Sequence, residues 1–196
     1  MDWRKRSQDD IEPVIDFTDF DRVARQTIDE LGLQTLILKM PGMGSRVHGT
    51  WRPDTIAGFP QGSRRHRAAF AVAARWIEDH LAERGWLDKT YVTWFDEMRK
   101  GDYAAVRDGM ALLKETAPRL RRLLHGEPYR ELAGYVDAWV APLHWFGPGR
   151  TEKRKAAGGE TWWYQDKRPA TPHRFAAIDH PGTEPRLGPW AAWKYD

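Results

Sequence analysis

The chain has no cysteine in its 196 residues. Disulfides and thiolate metal sites are therefore excluded, while the compartment stays open. No apolar run approaches the roughly 18 residues that span a bilayer, so no membrane partner is expected. The start, Met1-Asp2-Trp3-Arg4-Lys5-Arg6, leads into acidic and polar residues. It lacks the apolar stretch of a secretory leader, and the expectation is a cytoplasmic location unless an N-terminal part is missing. There is no internal repeat and no low-complexity linker, which predicts one domain over residues 1–196. The seven histidines are scattered. None forms a His-x-x-x-His pair on a predicted helix, so neither a metal nor a cofactor is expected. Gly42-Met43-Gly44 lacks the helix start that a phosphate cradle needs. No serine sits in a nucleophile-elbow context.

Charge is modest. A formal net charge of +3 falls short of a nucleic-acid tail. Three basic clusters, at 64–67, 119–122 and 153–155, border helical patterning and read as solvated helix faces. They do not interleave with the aromatic residues, which argues against a nucleic-acid partner. Hydrophobic residues make up 41% and charged residues 30%, as in an ordinary globular domain able to bury a core. What is abundant is tryptophan, with eleven residues. Indole faces suit the C–H faces of sugars and equally suit core packing.

The patterning alternates short β-prone runs with longer helical ones. Val14–Phe17 reads as a strand, and Thr18 to Asp21 as a capping box opening a helix that stops at Gly32. Thr35–Leu38 is a continuous apolar run, as in a parallel strand buried on both faces. A long Gly- and Pro-rich segment, Met40–Ser63, follows. The next helix runs from about Arg65 to Arg84 with Phe70, Ala73, Ile77 and Leu81 inward. Tyr91–Phe95 is a strand. A helix opens at Gly101-Asp102, with Tyr103, Val106, Met110, Leu113 and Ala117 at helical spacing and Pro118 beyond its end. Further strands are expected at Arg122–Leu124, Tyr135–Leu143, Thr161–Tyr164 and Phe175–Ile178. Helices are expected at Pro148–Ala157 and near Pro189–Tyr195. This alternation predicts an α/β fold with a parallel sheet. Six or seven strands, in a chain shorter than the usual barrel of about 250 residues, point to a partial (β/α)8 TIM-barrel-like architecture.

In such a fold, chemistry collects at the carboxyl ends of the strands. These ends carry Pro41–Gly44, Asp96-Glu97, Pro142–His144, Tyr164-Gln165 and Ile178–His180. Only one offers adjacent carboxylates. Asp96 and Glu97 can meet one ligand only if the backbone kinks there, because neighbours on a strand face opposite ways. Held close, one carboxyl is pushed to stay protonated while the other ionises, the division that glycoside hydrolysis uses. The same dipeptide also reads as a plain loop start with Asp96 as a cap.

The stretch Gly85–Glu97, ending Trp94-Phe95-Asp96-Glu97, resembles the catalytic-domain signature of glycoside hydrolase family 123. Three other segments agree, in family order. They are Asp29–Gly32 with Pro41–Gly44, then Gly158–Tyr164, then Ile178–Gly182 with Trp190–Tyr195. The resemblance implies a (β/α)8-type domain and retaining hydrolysis of terminal β-linked N-acetylgalactosamine or another N-acetylhexosamine. Glu97 is then general acid and base. Asp96 would hold the substrate's own 2-acetamido group, whose carbonyl oxygen is the nucleophile. Met98 departs from the pattern, which commonly has proline there. Strand-end geometry adds Trp94, Trp145, Trp163, Tyr164, Asp179, His180 and His48 as candidate sugar contacts, each with packing, capping or plain loop exposure as the alternative. The competing reading is a barrel remnant that binds carbohydrate without turning it over.

Overall fold

The structure, a computed structural model, describes residues 2–5, 11–47, 50–95, 98–126, 128–142 and 159–164, together with positions 183, 186, 190, 193 and 194. Among these residues the central feature is a five-stranded sheet. Its strands are β3 (Leu36–Lys39), β8 (Thr90–Thr93), β9 (Arg121–His125), β10 (Ala138–Pro142) and β11 (Glu160–Tyr164). They lie side by side in chain order, and every neighbouring pair is parallel. The order never reverses, unlike a doubly wound sheet, whose strands turn back at a switch point. Three small antiparallel pairs lie apart from this sheet. They are β1 (Asp2–Lys5) with β2 (Ile11–Val14), β4 (Ser45–Val47) with β5 (Thr50–Arg52), and β6 (Thr55–Ile56) with β7 (Phe59–Pro60).

Two helices supply the crossovers from β3 to β8 and from β8 to β9. Helix α2 (Arg64–Glu83) starts at Ser63, whose hydroxyl accepts from the His66 N–H at 3.1 Å. Its expected stripe of Phe70, Ala73, Ile77 and Leu81 is buried. Helix α3 (Tyr103–Thr116) buries Val106, Met110 and Leu113, with Ala117 just past its end. Both stripes face the same side of the sheet, where they meet Val92, Leu124 and Trp139 in the main core. Burying each such large side chain contributes roughly 1.5–3 kcal/mol. A smaller core of Tyr91, Leu123, Ala138 and Val140, with Trp162 against it, occupies the opposite face. The sheet therefore has a helix-covered face and a second face with its own contents.

That second face is concave. The Tyr91 hydroxyl on β8 donates to Glu160 Oε2 on β11 at 2.5 Å, across β9 and β10. On a flat sheet these backbones would stand roughly 14 Å apart, three steps of about 4.8 Å. The bond closes because the sheet curls, and because Ala138, in register with Glu160, leaves space between them.

Several expectations need correction. Val14–Phe17 is no strand of the parallel sheet. Only Val14 is extended, and it pairs with Asp2. The capping box at Thr18 does not form. Helix α1 (Thr18–Ala24) begins with the Thr18 N–H on Asp16 Oδ1 at 2.9 Å. Asp21 is instead drawn to α2, where its carboxylate meets His80 at 2.5 Å and Arg84 at 2.5 Å. Strand β3 is not buried on both faces. It lies at one end of the five-strand order, and Ile37, on the concave side, is 48% exposed. The expected helix at 148–157 and strand at 175–178 lie outside the described residues. Five of the expected strands stand parallel in one sheet among the described residues.

Candidate active site

Register settles which side chains share the concave face. Ile37 and Lys39 pair with Tyr91 and Thr93. Tyr91 pairs with Arg121, and Ala138 and Val140 pair with Leu123 and His125. Ala138, Val140 and Pro142 pair with Glu160, Trp162 and Tyr164. Read from the amino to the carboxyl edge, this face has three zones.

At the amino edge Tyr91, Arg121, Glu160 and Trp162 form one polar knot. Arg121 Nη1 donates to the Tyr91 hydroxyl at 2.8 Å, and Trp162 Nε1 donates to Glu160 Oε2 at 3.1 Å. The Arg121 guanidinium also lies 3.9 Å from the centre of the Tyr91 ring. Burial, followed by the hydrogen bond to Glu160, pushes the Tyr91 hydroxyl up to about 12. It stays a neutral donor, as a structural tie needs. The middle zone is the small apolar core of Leu123, Ala138 and Val140.

The carboxyl edge is polar again. Lys39 ends β3, Thr93 ends β8, His125 ends β9 and Tyr164 ends β11, all on the concave side. The Thr93 hydroxyl is buried without a hydrogen-bond partner among the described residues. The rings of His125 and Tyr164 stand edge to face, 6.3 Å apart.

Asp96 and Glu97 lie outside the described residues, but the chain on both sides of them is fixed. On one side Thr93 ends β8, and its carbonyl accepts from the Met40 N–H at 2.8 Å. On the other side a Cβ built on Gly126, the residue after β9, would come within 3.0 Å of the Met98 methyl carbon. The described chain leaves β8 through Trp94 and Phe95 and resumes at Met98, whose side chain lies by the residue just past β9.

Trp94 is 3% exposed and offers no free ring face. It packs against Phe95, with ring centres 5.2 Å apart, and against Gly109 of α3 and Met43. Trp163 is in register with Ala141, on the side of the sheet that Trp139 shares with the helices. Tyr164 faces the concave side and is 39% exposed. His48, Trp145, Asp179 and His180 lie outside the described residues. The structure thus sets Tyr164 on the same face as Thr93 and His125, and Trp163 on the other.

Lys39, Thr93 and His125 were not among the expected site residues. The signal was alternation. The expected strands stopped one residue short of Lys39 and His125 and ran two residues past Thr93, so the true strand ends were missed.

The loop after β3 is held on the helix side of this edge. The Gly42 carbonyl accepts from His66 Nε2, and the Gly42 N–H donates to Asp54 Oδ2 at 3.1 Å. Gly42 has φ +80°, and a Cβ there would meet Ile56 Cδ1 at 2.2 Å, so no other residue fits. Between this loop, the first turn of α2 and the first half of α3 lies a hollow of about 280 Å³, lined by Met43, Gln61, His66, Arg67, Asp108 and Gly109 among others. It is separate from the concave face.

Among solved structures, the chain is similar to a family 123 glycoside hydrolase from Clostridium perfringens, described in a study of glycolipid glycan hydrolysis. The TM-score is 0.55 at 17% identity, and the match covers 87% of this chain and 32% of that one. At that identity the likeness is one of fold. No curated protein matches the sequence. The family model described as "Glycoside hydrolase 123, catalytic domain" matches residues 14–196, nearly the whole chain. The chain belongs to the glycoside hydrolase 123 catalytic-domain family.

Proposed function

We propose that this chain carries the catalytic centre of a retaining, substrate-assisted β-N-acetylhexosaminidase acting on terminal β-linked N-acetylgalactosamine. One observation supports the reading above the rest. The sheet runs parallel in unbroken chain order, its inner face curls, and the span bearing Asp96 and Glu97 leaves it at the carboxyl edge. In this reading the five strands are an arc of a (β/α)8 barrel, whose chemistry collects at that edge. The alternative sheet, doubly wound, would place its crevice at a reversal that the described strands do not have.

In this reading Glu97 protonates the glycosidic oxygen as the leaving group departs. The substrate's acetamido oxygen attacks the anomeric carbon from the opposite face and closes a cationic five-membered ring. Asp96 accepts from the acetamido N–H and stabilises that charge. Glu97, now ionised, takes a proton from a water, which reopens the ring and returns the β configuration. Tyr164 supplies a hydroxyl at the rim of the concave face, and Trp145, Asp179, His180 and His48 are further sugar contacts by strand-end and loop position. Trp94 acts from beneath, fixing the backbone two residues before Asp96. Trp163 serves the opposite face.

The test is hydrolysis of a β-N-acetylgalactosaminide carrying a phenolic reporter, by the parent and by Glu97→Gln. Turnover in the parent with a loss of about a hundredfold or more in the variant supports the assignment. Binding without turnover in the parent would point instead to a carbohydrate-binding remnant.

A further inference from the structure

We infer that His125 is a substrate-contacting residue of this site, its imidazole hydrogen-bonding a ring hydroxyl of the bound sugar. The inference rests on the hydrolase reading for the identity of the ligand, but its evidence is local. His125 is the last residue of β9, in register with Val140, and it faces the concave side. It is half-buried, yet its ring makes no hydrogen bond among the described residues. The donor and acceptor of this ring are therefore open to water or to a ligand on that face.

The ring is also held in place. Tyr164 meets it edge to face with the planes 62° apart. The Gly126 N–H, next in the chain, donates to the Val140 carbonyl at 2.8 Å and anchors the end of the strand. The Met98 methyl lies close to Gly126, so the Met98 side chain packs against the residue that follows His125. His125 thus stands one strand away from the origin of the two carboxylates, on the face where a ligand of theirs would rest.

The chemistry narrows the ligand. A neutral imidazole has one donor and one acceptor. A hydroxyl is likewise both, and a pyranose presents hydroxyls around its ring. Below His125 the same face is closed by the buried Leu123, Ala138 and Val140, so a sugar reaches the imidazole from the carboxyl edge.

The experiment is a titration of the full chain with N-acetylgalactosamine, followed by the imidazole signals in NMR and run alongside kinetics. In the parent the His125 signals should move and saturate with sugar. His125→Ala should weaken binding and raise KM about tenfold with kcat much less affected, as for loss of one hydrogen bond. His125→Asn, which keeps a donor and an acceptor, should recover part of that loss. His125 signals that stay fixed at high sugar concentration overturn the inference, as does a His125→Ala protein that binds like the parent. If Glu97→Gln abolishes turnover while His125→Ala changes nothing, the contact is wrong and the hydrolase reading stands. If sugar moves the His125 signals while Glu97→Gln retains full activity, the contact stands and the catalytic assignment falls.

Discussion

The Tyr91 hydroxyl donates to Glu160 across two intervening strands, and it does so from a position 69 residues earlier in the chain. This bond ties β8 to β11 and holds the curl on which the concave site depends. It also carries a pH signature. Folding raises the Tyr91 hydroxyl from its ordinary 10 to about 12, through burial and the Glu160 carboxylate. Between these values the unfolded chain has released the proton and the folded chain has not. The contribution is therefore complete below pH 10 and disappears as pH rises through 12. The denaturation midpoint of the parent should fall more steeply between pH 10 and 12 than that of Tyr91→Phe. Parallel curves would show that the tie carries no such linkage.

Gly109 sits inside α3, where alanine would ordinarily gain the helix about 1 kcal/mol. Here a Cβ would stand 3.2 Å from Trp94 Cζ2 and 3.3 Å from the Met43 methyl carbon. Methionine can move, but a buried indole held against Phe95 cannot do so freely. Gly109→Ala should therefore lose roughly 1 kcal/mol through overpacking. Its turnover should fall as well, since Trp94 is displaced two residues before Asp96. Denaturant melts read the first effect and kcat the second. A gain in stability would contradict the packing described.

Arg122 is a buried cation with its needs met locally. Its guanidinium reaches Asp137 at 2.7 Å, the Tyr135 carbonyl at 2.8 Å and the Leu120 carbonyl at 3.1 Å. Asp137 also accepts from the Arg122 backbone N–H at 2.7 Å. Removing that carboxylate leaves a buried charge half-answered. Asp137→Ala should cost about 3 kcal/mol. Asp137→Asn should cost less, because it preserves the acceptor to the backbone. Equal stabilities for parent and Asp137→Ala would mean the guanidinium finds water instead.

The parts legible in the sequence were those with a local period. Phe70, Ala73, Ile77 and Leu81 on α2, and Val106, Met110 and Leu113 on α3, repeat at helical spacing, and that spacing alone names their buried side. What needed coordinates was set by partners far along the chain. Asp21 looks like a cap until His80, 59 residues later, takes its carboxylate. Trp94 reads as a candidate sugar contact or as packing, and the space that Gly109 leaves beside it shows the packing. Ile37 reads as buried, yet its strand stands at the end of the order, where one face stays open. His125 escaped because the expected strand stopped at Leu124, one residue short. The neighbours Trp163 and Tyr164 face opposite sides, and only the pairing with Ala141 and Pro142 says which is which.

Asp96 and Glu97 were legible as a candidate pair because two adjacent carboxylates follow a strongly β-prone run. Their roles came from resemblance and not from spacing, since a dipeptide carries no geometry of its own. The strand register shows that Lys39, Thr93, His125 and Tyr164 share one face at the carboxyl edge, which spacing did not reveal.

The claim on which the whole account turns is that the acetamido group of the substrate, steered by Asp96 and released by Glu97, performs the displacement at the anomeric carbon. The most direct measurement is ¹H NMR of the anomeric proton during the first minutes of hydrolysis of a β-N-acetylgalactosaminide by this chain. Two displacements at one carbon predict that the β-anomer of free N-acetylgalactosamine appears first and only later mutarotates. First appearance of the α-anomer would contradict the account, and so would no sugar release at all.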